Sequence, residues 1–170
     1  MTLAIRQMPG RSLAVLASIA LVGSLLAACS GAATTAPGGL TVEGAWARNA
    51  PKTAGAGAAY LVLKNAGSDA DALIGASSPV SATAEVHETY VVESPMVSAA
   101  PGASVGTVMG MRPIARIEIP AGGSIELKPG GFHVMLMDLK QEIKAGESIE
   151  LTLQFEKAGP ITVKAEVREN

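Results

Sequence analysis

From Leu40 onward, apolar and polar residues alternate in short runs broken by turn residues. Ile149, Leu151, Leu153 and Phe155 interleave with Ser148, Glu150, Thr152 and Gln154, the period-two signature of a strand with one buried face. The same reading predicts strands at Leu40–Arg48, Ala58–Lys64, Ala72–Ala76, Ala84–Val92, Ile114–Ile119, Ser124–Leu127, Phe132–Leu139 and Ile161–Val167. Asn65-Ala66-Gly67, Pro120 to Gly123, Pro129-Gly130-Gly131 and Ala158-Gly159-Pro160 supply turn chemistry between them. No segment has the 3.6-residue periodicity of an amphipathic helix. Many short strands at this spacing predict an all-β, antiparallel Greek-key β-sandwich or barrel. Glu93 to Gly110 resists the pattern: it is rich in Ser, Ala, Gly and Pro and reads as a long loop or irregular hairpin.

The first 28 residues have a different character. Arg6 and Arg11 precede an apolar run from Ser12 to Leu26, and Leu26-Ala27-Ala28 leads into Cys29, the only cysteine. This order is that of a secretory signal peptide. Leu-Ala-Ala-Cys resembles a bacterial lipoprotein processing box, which implies cleavage before Cys29, lipid on its sulfur and tethering to the outer face of a membrane. Ser30 to Gly39 is small, polar and non-periodic, as expected of a flexible tether. The expected organisation is therefore signal peptide 1–28, lipidated Cys29 and linker 29–39, and one β-domain 40–170, a normal size for a single core.

After Cys29 the chain carries 11 basic and 15 acidic side chains, a net of −4. Nucleic-acid binding needs a basic face, and five aromatic residues (one Trp, two Tyr, two Phe) make a poor stacking platform for bases. A single cysteine forms no internal disulfide and no dithiol redox pair.

The chemistry-bearing residues are soft and neutral. His87 and His133 are the only histidines, and Met96, Met109, Met111, Met135 and Met137 lie near them in sequence. In a strand, residues i and i+2 share a face, so His133 and Met135 can aim at one ion while Phe132, Val134 and Leu136 face the core. Thioether and imidazole together favour Cu(I), whereas zinc prefers thiolates or more imidazoles. The carboxylates lack the spacing of a calcium loop. Methionine also serves as adaptable core filler, and Met137 is read that way. Trp46 and Arg48 are read as structural.

Three segments carry a family resemblance: Ala84 to Thr89 (AEVHET), Met109 to Pro113 (MGMRP) and Leu127 to Met137 (LKPGGFHVMLM). They resemble the PCuAC family of periplasmic copper chaperones, whose motif is a His, a later Met, twenty-one residues, then His-x-Met. Twenty-one residues separate Met111 from His133, and His133-Val134-Met135 completes the motif. Ala45 to Arg48, Ala58 to Leu61 and Leu151 to Phe155 extend the likeness over nearly the whole domain. The resemblance implies a cupredoxin-like or Ig-like β-sandwich that binds Cu(I) through His87, Met111, His133 and Met135, with Met109 and Met96 as further candidates. It also implies a monomeric, non-enzymatic protein that delivers copper for the CuA centre of cytochrome c oxidase, to subunit II or through another copper chaperone.

One departure stands out. The family usually has about ten residues between its first His and first Met, but 23 separate His87 from Met111, and the excess coincides with the Ser/Ala/Gly/Pro stretch. Loop-closure cost grows slowly with length, so an insertion still lets the two residues meet. Rival readings are copper resistance or storage, a metal-free Ig-like binding lipoprotein, and a hydrolase suggested by Gly102-Ala103-Ser104-Val105-Gly106, a G-x-S-x-G match that would require a helix after it.

Overall fold

A computed structural model describes residues 33–36, 38–94 and 106–169. These form eleven strands: β1 (Thr34–Thr35), β2 (Leu40–Arg48), β3 (Ala56–Asn65), β4 (Asp71–Ser77), β5 (Ser81–Ser94), β6 (Gly106–Pro113), β7 (Ile117–Ile119), β8 (Ser124–Leu127), β9 (Phe132–Leu139), β10 (Ser148–Phe155) and β11 (Pro160–Arg168). The helical content among the described residues is one 3-10 turn, Lys52–Ala54. The segment 1–28, Cys29 and Met96 lie outside the described residues.

The strands run β2-β11-β10-β4-β5-β9-β3, and β3 pairs back with β2, closing a barrel. Strands β1, β6, β7 and β8 attach to this ring as side branches. Closure removes the unpaired edges that an open sheet would expose. The expected antiparallel barrel has one parallel seam: β11 runs parallel to β2, through Glu166↔Trp46, Val167↔Ala47 and Arg168↔Arg48. The cause is parity. A closed ring with an odd number of strands cannot alternate direction throughout, so at least one neighbouring pair must be parallel.

The core fills from the inward residues of each strand. Ile149, Leu151, Leu153 and Phe155 of β10 are buried, as are Ile161, Val163, Ala165 and Val167 of β11 and Val134 and Leu136 of β9. Burial of a side chain of this size contributes about 1.5–3 kcal/mol. Asp71 is a buried exception. Its carboxylate accepts from the backbone N–H groups of Ala72, Lys157 and Ala158. Burial raises its pKa, but these three donors and the Lys157 charge outweigh that and hold it below the ordinary value.

Two details concern the region around His87. Of the two readings of Glu93–Gly110, long loop or irregular hairpin, the described part fits the hairpin: β6 pairs with β5 from His87↔Pro113 out to Ser94↔Gly106. The strand expected over Ile114–Ile119 is confined to β7, because Ile114 instead donates its N–H to the Val86 carbonyl (2.9 Å) where β6 ends. Of the G-x-S-x-G match, Gly102 to Val105 lie outside the described residues. Gly106 opens a strand, which is not the helix that a nucleophile elbow requires.

Candidate metal centre

Strand β5 has two neighbours around His87. Residues Ser81 to Glu88 pair with β9, and His87 to Ser94 pair with β6. Beyond Glu88 the β5/β6 pair continues as a two-stranded ribbon that leaves the ring. His87 sits at this junction, directly opposite His133, with imidazole centroids 5.7 Å apart.

Register places the methionines. Residues paired across strands share a face, and so do residues two apart. Met135 is paired with Glu85 and Met111 with Thr89, so each lies one diagonal step from His87, on opposite sides of the His87–His133 row. Diagonal neighbours are within reach of long side chains. Met109, paired with Val91, lies one further step out, about 14 Å from His87 along the strand at ~3.4 Å per residue. Met137 is paired with Thr83 and Ala56, on the same outer face as Met135. The reading of Met137 as core filler is therefore corrected: it is half-buried outside the barrel, as the i, i+2 rule that placed His133 and Met135 also requires.

The hydrogen bonds orient both imidazoles. Nδ1 of His133 lies 3.1 Å from the Gly131 carbonyl and Nε2 of His87 lies 3.2 Å from the Glu85 carboxylate. Each partner only accepts at neutral pH, so each of these ring nitrogens carries the proton and donates. The opposite nitrogens, Nδ1 of His87 and Nε2 of His133, are buried and have no partner. In a neutral imidazole these nitrogens hold the free lone pairs. This is the arrangement that metal-binding imidazoles adopt, one nitrogen fixed by a carboxylate or carbonyl and the other left for the ion. An unpaired buried polar atom costs about 1–3 kcal/mol, which a fold without a use for it would avoid.

The environment keeps His133 neutral. Burial lowers its pKa, outweighing the opposing effect of the Gly131 hydrogen bond, and repulsion from His87 adds to the lowering. The Gly131 carbonyl also accepts the Thr89 N–H (3.1 Å), tying the turn before β9 to the start of the ribbon. Gly130 makes that turn with a φ of +78°, a conformation glycine adopts without strain.

A row of rings continues away from the histidines. Tyr60 stands 6.5 Å from His133 between centroids, and Trp46 stacks 4.5 Å from Tyr60. The Arg168 guanidinium lies over Trp46, 5.6 Å from its centroid. Trp46 reaches this position through a bulge in β2, where the register shifts between Glu43 and Trp46 and Gly44 takes a φ of +59°. A cavity of about 600 Å³ opens beside the row, with His133, Met135, Met111, Met109, Thr89 and Tyr60 among its lining. No three His, Cys, Asp or Glu side chains converge among the described residues, so the donors gathered here are imidazole nitrogen and thioether sulfur.

Sequence reasoning missed two residues. Glu85, two positions before His87, was readable from the same period-two rule. Gly131 acts through its backbone carbonyl, which side-chain chemistry does not signal.

The fold and this cluster define a small β-barrel with paired imidazoles and thioethers on one outer face. Residues 40–167 match the family described as "Putative lipoprotein LpqE-like", and the chain belongs to that family. It is 32% identical over 133 residues, covering 77% of this chain and 70% of the relative, to the "Putative lipoprotein Lxx21020" of Leifsonia xyli subsp. xyli (strain CTCB07). Among solved structures, the copper-bound PCuAC domain from PmoF2 shares the fold, with a TM-score of 0.62 at 24% identity, covering 82% of this chain and 99% of that one. The solution structure of CuI-DR1885 from Deinococcus radiodurans superposes with a TM-score of 0.55 at 29% identity, covering 75% of this chain and 76% of that one. The barrel is thus the fold of PCuAC domains.

Proposed function

We propose that this protein is an exported, lipid-anchored Cu(I) carrier that passes copper to an acceptor and performs no catalysis of its own. The ion would sit between Nδ1 of His87, Nε2 of His133 and the sulfurs of Met111 and Met135. The observation that carries this reading is the pair of buried imidazole nitrogens with no partner, on rings whose centroids are 5.7 Å apart, flanked in register by one methionine on each side. Register favours Met111 over Met109, because Met111 is one diagonal step from His87 and Met109 is two.

The donor set suits transfer. All four donors are neutral and soft or borderline, which matches Cu(I). None of them needs to lose a proton when the imidazoles are neutral, and none changes oxidation state when the ion leaves. Support for copper as cargo comes from the copper-bound PCuAC domain from PmoF2 and from CuI-DR1885, which share this fold. Support for the anchor comes from the Leu-Ala-Ala-Cys29 box and the lipoprotein relative. The acceptor proposed is the CuA site of cytochrome c oxidase subunit II, reached directly or through another copper chaperone.

The test is an anaerobic competition titration against a chromogenic Cu(I) chelator, followed by mixing the loaded protein with an apo CuA domain. One Cu(I) per chain, weakened at least tenfold by Met111→Leu and by Met135→Leu with the fold intact, is the expected result, since those swaps conserve volume. Binding that survives both His87→Leu and His133→Leu would overturn the site. Tight binding without transfer would leave storage or resistance as the function.

A further inference from the structure

Met109 belongs neither to the core nor to the four proposed ligands. It is 70% exposed, and Met111 beside it on the same face is 59% exposed. Strand propensity does not explain a methionine there, because the other exposed apolar positions of the ribbon, Val91, Val92 and Val108, carry the β-branched residue that strands prefer. Six of the seven exposed large apolar side chains among the described residues lie on this ribbon. Met109 also lines the same cavity as Met111, Met135 and His133, whereas Met137, at the far end of the face, does not.

We propose that Met109 is the point at which Cu(I) arrives and departs, a transient thioether site one step outside the resting one; this rests on the copper reading above. Successive same-face positions are about 6.8 Å apart, and the methionine side chain is unbranched and flexible. The sulfurs of Met109 and Met111 can therefore share one ion. Cu(I) bound to an outside donor first forms a bond to the Met109 sulfur, and the donor's bond to the metal breaks. Bonds to Met111 and then to the two imidazole nitrogens and the Met135 sulfur form as the Met109 bond breaks. Copper stays monovalent throughout, and no electron moves.

The chemistry sets a distinctive signature. A residue that acts only along the path changes the rates in and out by the same factor and leaves the equilibrium constant alone. A resting ligand changes the equilibrium constant. The experiment is anaerobic stopped-flow mixing of the full chain, purified in detergent, with the Cu(I)–bicinchoninate complex, and the reverse mixing of loaded protein with free bicinchoninate. Met109→Leu is expected to slow both directions at least fivefold with the affinity changed less than threefold, while Met137→Leu exchanges at the wild-type rate. Three results would overturn the proposal: Met109→Leu rates within twofold of wild type, a tenfold or greater loss of affinity in Met109→Leu, or equal slowing by Met137→Leu. A wild-type chain that takes no Cu(I) at all removes the copper reading together with this one. A wild-type chain that loads normally while Met109→Leu matches its rates removes this one alone.

Discussion

Replacing His133 by leucine separates a metal-binding histidine from a structural one, because the two roles predict opposite changes in stability. His133 is 3% exposed and its Nε2 has no partner. Removing that orphan relieves about 1–3 kcal/mol. The same change loses the bond from Nδ1 to the Gly131 carbonyl, worth about 0.5–1.5 kcal/mol, but that carbonyl keeps the Thr89 N–H. The net for the metal-free protein is a gain of about 1 kcal/mol, or a Tm raised by roughly 3–5 °C for a domain of this size. Copper reverses the ranking. At a free Cu(I) concentration one hundredfold above Kd, the wild type gains ~2.7 kcal/mol by mass action, and His133→Leu gains almost none of it. Calorimetric unfolding with and without Cu(I) measures both terms. A metal-free variant destabilised by ~2 kcal/mol or more that still gains the wild-type increment with copper would refute the reasoning.

Three other outcomes follow from the same geometry. His133 has a pKa below its ordinary value of 6.5, so below that pH the unfolded chain takes up a proton that the folded one resists; the urea midpoint should hold steady above pH 7 and fall as pH drops from 6.5 toward the folded value, by at most ~1.4 kcal/mol per pH unit, and His133→Leu should flatten that slope. Glu85→Leu removes the acceptor that fixes the His87 tautomer and should weaken Cu(I) by about tenfold in a competition titration, while Glu85→Gln, which keeps an acceptor oxygen, should retain most of the affinity. Gly110 lies under the Tyr90 ring, where an added Cβ would come within 2.6 Å of it; Gly110→Ala should displace the ring and loosen the ribbon by about 1 kcal/mol, seen as faster amide exchange in β6 with β10 unchanged.

Strands β2, β8, β9 and β10 have the bounds expected from the sequence. Strands β8 and β10 alternate throughout, β9 alternates from Phe132 to Leu136, and β2 alternates up to its bulge at Glu43–Trp46. Strand β6 was legible only as one side of an irregular hairpin, without bounds, because Gly110 is a weak strand former and the segment follows a Ser/Ala/Gly/Pro stretch. It is held by pairing with β5, which no local pattern records. A barrel was expected, but not which strands close it: β2 meets β11 from the far end of the chain, and with the other ring pairs antiparallel the odd strand number leaves that pair parallel. The two histidines and their flanking methionines were legible as donors by type and spacing. Their convergence depends on the His87↔His133 register, which the sequence does not state. The polarity of each imidazole depends on Glu85 and Gly131, and those emerge only from coordinates.

The long insertion between His87 and Met111 is compatible with the site because of where a hairpin absorbs length. In an antiparallel ribbon, residues added at the turn extend the far end and leave the register at the base unchanged. The pairs His87↔Pro113 and Thr89↔Met111 stand at the base, and Ser94↔Gly106 stands farther out. Length added beyond Ser94 therefore moves neither imidazole nor the Met111 sulfur relative to the ring. His87, His133 and Met135 belong to the closed barrel, where pairing on both sides of β9 holds them. Met111 belongs to the ribbon, which β5 alone supports beyond Glu88. Of the four proposed ligands, Met111 is thus the one on a support that can bend at low cost, since few buried contacts resist its displacement. The proposed carrier gains from this division: three donors keep the geometry, and Met111, on the support that bends, follows the ion outward toward Met109 when an acceptor approaches from the ribbon side.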